Sequence, residues 1–240
     1  MRLLALLLLI PTLTFAEPAT IHVFVALVDN EHQGIAPVPA KIGNGDDLEH
    51  NLYWGCDEAI PPVFKKSRAW KLESTAVGPK AEILERRAYL HTSGNWRLIV
   101  DAYRGSAIRT CTADFFTALA SDEPVATHPL CIYVGHDGLM EFALPETALA
   151  KPGPGRDAIV FCCESNKYFG PHLATVNAKP VLLTQQFMYP GGFLVHAALD
   201  GWTKKETPAQ ILQRAATSYA ANQKISVKAA AGVFTTEIAK

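Results

Sequence analysis

Apolar residues along this chain fall into short unbroken runs, separated by segments in which they recur every three or four positions. Thr20–Val28 (TIHVFVALV) is the first run, rich in β-branched and aromatic side chains and closed by Asp29-Asn30. A run apolar at nearly every position, not at alternate ones, suits a strand covered on both faces. Trp96–Tyr103, Leu130–Val134, Ala158–Phe161 and Pro180–Thr184 read the same way, with weaker strand patterns over 69–76 and 82–91. Helical spacing predicts a helix over 107–120, where Ile108, Cys111, Phe115, Phe116 and Leu119 share one face. It predicts further helices over 193–202 and 208–223, the second with Thr207 as N-cap before Pro208. Asp46-Asp47 are expected to open another helix through Leu52, Tyr53 and Trp54 toward Val63-Phe64. It should be broken at Pro61-Pro62, because proline lacks the amide donor. Gly34, Pro37, Pro39, Gly43 and Gly45 mark one long loop, and Pro152-Gly153-Pro154-Gly155 another. Apolar strands alternating with helices predict an α/β fold around a mainly parallel sheet. No repeat and no internal boundary divides the chain.

The start of the chain has a different pattern. Arg2 precedes eight apolar residues, Leu3–Ile10, then Pro11 and the small-residue ending Thr14-Phe15-Ala16. This reads as a secretory signal cut after Ala16. Eight residues are too few for a bilayer that needs about 20 in a helix, so no stable membrane anchor is expected. The mature domain is then 17–240, exported to the periplasm or beyond, where disulfides become chemically possible.

Composition narrows the classes. The apolar fraction is 49% against 19% charged residues, which excludes a disordered chain. A net charge of −1 removes the electrostatic case for nucleic-acid binding. Five cysteines are too few for a disulfide scaffold, and their odd number leaves at least one thiol unpaired within a chain.

Two strand ends carry the reactive side chains. Cys131-Ile132-Tyr133-Val134 leads into Gly135-His136-Asp137-Gly138, and Ala158–Phe161 leads into Cys162-Cys163-Glu164-Ser165. Ligands of open α/β sheets sit beyond the carboxyl ends of strands. If the two strands are parallel neighbours, His136 and one cysteine meet there as a nucleophile and its base. Alternation sends Cys162 and Cys163 to opposite faces, so only one can meet His136. Turn amides at Asp137 or Gly138 are candidate oxyanion donors.

This pattern resembles the caspase-like cysteine peptidases, the group of caspases, legumain, gingipain, clostripain and separase. Their signature is an apolar strand ending in His-Gly, then a second ending in a small residue and the catalytic cysteine. The resemblance implies a three-layer α/β sandwich with 20–28 as its opening central strand. It implies His136 as catalytic histidine and Cys163 as nucleophile, with Cys162 at the small-residue position. Cys162 is also the alternative nucleophile by residue reading. The chain departs from the signature in two ways: Asp137 stands between His136 and Gly138, and the His136–Cys163 separation is short. The function implied is an exported cysteine endopeptidase acting on a peptide or protein substrate, with no cofactor. The rival is a catalytically silent binding or assembly module of the cell envelope, motivated by Asp137.

Other residues carry weaker expectations. Asp46, Asp47 and Glu164 are candidates for a pocket that selects a basic side chain, although capping of the following helix accounts for Asp46-Asp47 with nothing further needed. No CxxC or HxxxH spacing supports a metal at His136, Asp137, Cys162 and Cys163, so no metal is assigned. Trp54, Tyr168 and Trp202 are candidate groove residues. Cys56, Cys111 and Cys131 are expected to be buried, with any pairing left open.

Overall fold

The computed structural model describes residues 17–239, so the segment 1–16 read as an export signal lies outside the described residues. The strands are β1 (Ala19–Ala26), β2 (Trp70–Lys80), β3 (Ile83–His91), β4 (Trp96–Tyr103), β5 (Leu130–Val134), β6 (Asp157–Phe161), β7 (Lys179–Thr184) and β8 (Phe234–Thr235). They form one sheet in the order β2-β3-β4-β1-β5-β6-β7-β8. The middle is parallel: β1 pairs with β4 and β5, β5 with β6, and β6 with β7. The edges are antiparallel, through β2-β3-β4 on one side and β7-β8 on the other. The sheet is therefore mixed, with its parallel part where the apolar runs are longest.

The near-continuous run of β1 has its explanation in two cores. Val23 and Val25 pack into one apolar cluster, and Phe24 and Ala26 into the other, on the opposite face of the sheet. The first is closed by α1 (Ile60–Lys65), α5 (Gly192–Thr203), α6 (Pro208–Gln223) and α7 (Val227–Ala231), through residues such as Phe64, Leu194, Ile211 and Ala230. The second is closed by α2 (Ile108–Leu119) with Phe115 and Phe116, and by Leu173 of α4 (Gly170–Thr175). Within the β1 run, His22 bonds Asp101 Oδ2 at 2.8 Å, and Arg86 holds the same carboxylate. Thr207 caps α6 as expected, and Gln210 completes a capping box.

Three elements differ from expectation. The helix from Asp46 through Trp54 is absent; residues 41–59 form turns, and regular helix begins only at Ile60, directly before Pro61-Pro62. The reason is positional, since proline is favoured in a first helical turn, where its missing donor has no partner to lose. The C-terminal pieces α7 and β8 are too short to leave a periodic signal. A short helix, α3 (Ser165–Tyr168), directly follows the cysteine pair.

The carboxyl ends of β5 and β6 stand side by side, with Val134 opposite Phe161 and the Gly135 amide donating to Phe161 O at 3.2 Å. Gly135 has a φ of 152°, and a Cβ there would lie 2.8 Å from Ala26 O of β1. Only glycine turns the chain out of β5 this close to β1. Gly135→Ala is expected to lower stability by about 1–3 kcal/mol, read by urea unfolding. Gly94→Ala, in open space at φ 75°, should lose less.

Candidate active site

Each strand end releases two consecutive residues to opposite sides. His136 and Cys163 both line a cavity of about 550 Å³ beyond the carboxyl edge of the sheet. Asp137 and Cys162 are fully buried, and Cys162 packs among the α2-side cluster with Tyr133 and Phe169. Of the two cysteines, Cys163 is thus the one that shares a cavity with His136. Cys162, the other candidate nucleophile, does not reach the cavity, and burial raises its thiol well above the usual range.

The His136 ring is held from its far side. Nε2 pairs with Glu141 Oε1, and that oxygen also accepts the Gly34 amide at 2.9 Å. With Nε2 engaged by a carboxylate, Nδ1 is the nitrogen left for the cavity. Tyr133 Oη donates to the His136 carbonyl at 2.9 Å and fixes its backbone. Glu141 was not anticipated. It lies just after the short 3₁₀ turn Gly138–Met140 that follows the histidine, and no spacing rule in the chain marks it.

Cys163 sits where β6 reverses into α3. Glu164 adopts a left-handed conformation, φ 47° and ψ 34°, which makes the reversal sharp. A brace of short polar side chains holds the turn. Ser165 Oγ donates to Val160 O at 3.1 Å and accepts the Thr184 amide at 2.8 Å. Thr184 Oγ1 donates to Cys162 O and accepts the Ser165 amide at 3.0 Å. The sulfur itself accepts the Met188 amide at 3.5 Å. Burial raises the Cys163 thiol above its ordinary value, and the Met188 amide offsets part of that rise. The resting form is therefore the thiol, which needs a base to become a nucleophile.

Some expected groups stand elsewhere. Asp46 pairs with Arg104 at 3.0 Å. Asp47 bonds His50 Nδ1 at 2.9 Å and accepts the amides of Glu49 and His50. Neither they nor Glu164 line the cavity, so it carries no acidic wall for a basic side chain. The Gly138 amide donates to His136 O at 3.1 Å and is not free to hold an oxyanion. The amides of Asp137 and Cys163 make no hydrogen bond to an acceptor among the described residues. Trp54 is buried beneath Arg87 and donates to Glu85, and Trp202 donates to Asp157 at the opposite end of β6. Tyr168 lies against the ammonium of Lys167. All five cysteines are free thiols, and no metal-holding cluster occurs among the described residues. No described helix is long and apolar enough to cross a membrane. The chain matches no protein-family model, no curated protein and no solved structure.

Asp137 has an electrostatic role of its own. One oxygen accepts the Leu139 amide at 3.0 Å, while the other is buried with no hydrogen-bond partner. Burial pushes the carboxyl up to about 7, only partly offset by the Leu139 amide. Unfolded, the group loses its proton near 3.8. Between these values the folded chain binds more protons, so stability falls as pH rises from about 4 to 7 and stays lower above. Asp137→Asn is expected to remove this slope. Its stability relative to the parent should rise across pH 4–8 by on the order of 3 kcal/mol, read by urea unfolding at each pH. A difference that does not vary with pH would contradict the assignment.

Proposed function

We propose that this chain is an exported cysteine endopeptidase of caspase-like fold, in which Cys163 attacks a peptide carbonyl. The observation that carries the reading is that Cys163 and His136 line one cavity while the far nitrogen of His136 is held by Glu141. The order of elements supports it: the histidine strand and the cysteine strand are adjacent and parallel, with the opening strand beside them. The proposed export rests on the pattern of residues 1–16.

In this mechanism Nδ1 of His136 takes the Cys163 proton as the thiolate attacks the carbonyl carbon. Glu141 fixes the ring tautomer and stabilises the imidazolium that forms. The developing oxyanion is received by the Cys163 amide, which has no acceptor among the described residues, whereas Asp137, fully buried, offers no amide to the cavity. His136 then protonates the leaving amine, and a water deprotonated by the same imidazole hydrolyses the thioester. Asp137 turns wholly into the protein, so a residue other than glycine is accommodated after the histidine. No step calls for a metal or cofactor.

Cys163→Ala is expected to lower hydrolysis of a fluorogenic peptide library by at least about a thousandfold. It should also abolish labelling by a thiol-reactive peptide electrophile, whereas Cys162→Ala should keep both. Glu141→Gln should lower kcat by about 100-fold with the thiol still alkylated by iodoacetamide. A folded parent chain that neither turns over peptides nor is labelled at Cys163 would instead identify a silent binding module of the envelope.

A further inference from the structure

We propose that the cavity beside Cys163 receives a large apolar side chain of the substrate, adjoining the scissile bond, and discriminates against charged ones. The inference rests on the peptidase reading above and adds its substrate class. At about 550 Å³ the cavity is of ligand size. Its walls are Ile35, Val38, Tyr53, Met140, Phe187 and Met188, and no Asp, Glu, Lys or Arg lines it. Of the carboxyls adjoining the lining residues, Asp29 is paired with His32 and Asp137 is buried, while Glu164 and Asp46 do not line the cavity, and Glu141 is engaged by His136. Apart from His136 at the reacting end and the Tyr53 hydroxyl, a substrate ammonium or carboxylate entering here would lose water and meet no charged side chain, whereas an aliphatic or aromatic side chain gives up no hydration of a charge.

The walls are also held in place before any ligand arrives. The strap 34–38 is fixed at one end by the Gly34 amide on Glu141. At the other, Asn30 Nδ2 donates to Val38 O at 2.8 Å and Asn30 Oδ1 accepts the Val38 amide at 3.0 Å. A Cβ on Gly34 would lie 2.5 Å from Glu141 Oε1, so the strap approaches the carboxylate as closely as it does only with glycine there. The opposite wall is tied to the nucleophile, because the Met188 amide bonds the Cys163 sulfur. Phe187 stands at the rim with 71% of its surface exposed, an apolar side chain with the position to close over a bound one. The same glutamate thus orients the base and anchors one wall of the specificity cavity.

The test uses the parent protein and a series of acyl-aminoacyl chloromethyl ketones that differ only in the side chain next to the warhead. Labelling at Cys163 by the Phe and Leu reagents should be faster than by the Lys, Arg or Asp reagents by about 100-fold or more. Phe187→Ser, a change at an exposed position, should slow the Phe reagent by about tenfold and leave alkylation of Cys163 by iodoacetamide unchanged. Equal rates across the series, or a preference for a charged side chain, would overturn the apolar assignment while leaving the peptidase reading in place. No labelling of Cys163 by any of the ketones, with iodoacetamide still reacting, would overturn both.

Discussion

Side chains leaving a strand alternate in direction, so two consecutive residues beyond its end cannot share a surface. In this protein that constraint acts on two neighbouring strand ends at once. β5 and β6 run in parallel with Val134 opposite Phe161, so their exit residues are sorted alike. His136 and Cys163 reach the cavity, while Asp137 and Cys162 are sealed in the core. A one-residue slip in either strand would exchange the members of a pair and put an imidazole opposite a buried thiol. The structure guards against that slip on each side. Gly135 occupies a conformation that a side chain would obstruct against β1, and the Ser165–Thr184 brace ties the turn after Cys163 to β7.

One of the two buried residues is a carboxyl whose ionisation the core disfavours. Asp137 keeps one carboxylate oxygen without a partner inside the protein, an arrangement that folded proteins rarely retain. Its other oxygen nevertheless caps the 3₁₀ turn by accepting the Leu139 amide, and that turn leads directly to Glu141. Glu141 in turn reaches back to His136 and across to Gly34. A chain of short contacts therefore links the end of β5 to the strap that walls the cavity, which makes base orientation and cavity shape parts of one unit.

Much of the architecture was legible from residue pattern. The spans 96–103, 130–134 and 208–223 agree with expectation residue for residue, because each has a strong internal period or a marked cap. Residues 46–54 do not form the expected helix, since the apolar Leu52, Tyr53 and Trp54 answer to tertiary contacts; Tyr53 and Trp54 join the core from a turn. The antiparallel edges were also beyond local reading, because β2 is exposed along nearly all of its length and β8 has two residues.

The site divides along the same line. His136 and Cys163 were visible because each follows an apolar strand, and strand alternation is a local property. Glu141, the carbonyl that engages the Gly138 amide and the apolar walls of the cavity were not visible, and Asp46, Asp47 and Glu164 pointed to an acidic pocket that is not there. The sequence by itself determined most of the strands and helices and the rule that only one cysteine could face the histidine, which follow from unbroken apolar runs, the 3.6 period and strand alternation along one segment. Tertiary structure alone decided which cysteine shares a cavity with His136, what holds the imidazole and what charge the cavity presents. Those depend on contacts such as Gly34 with Glu141 and Cys163 with Met188, made between residues 107 and 25 positions apart, where no local period reaches.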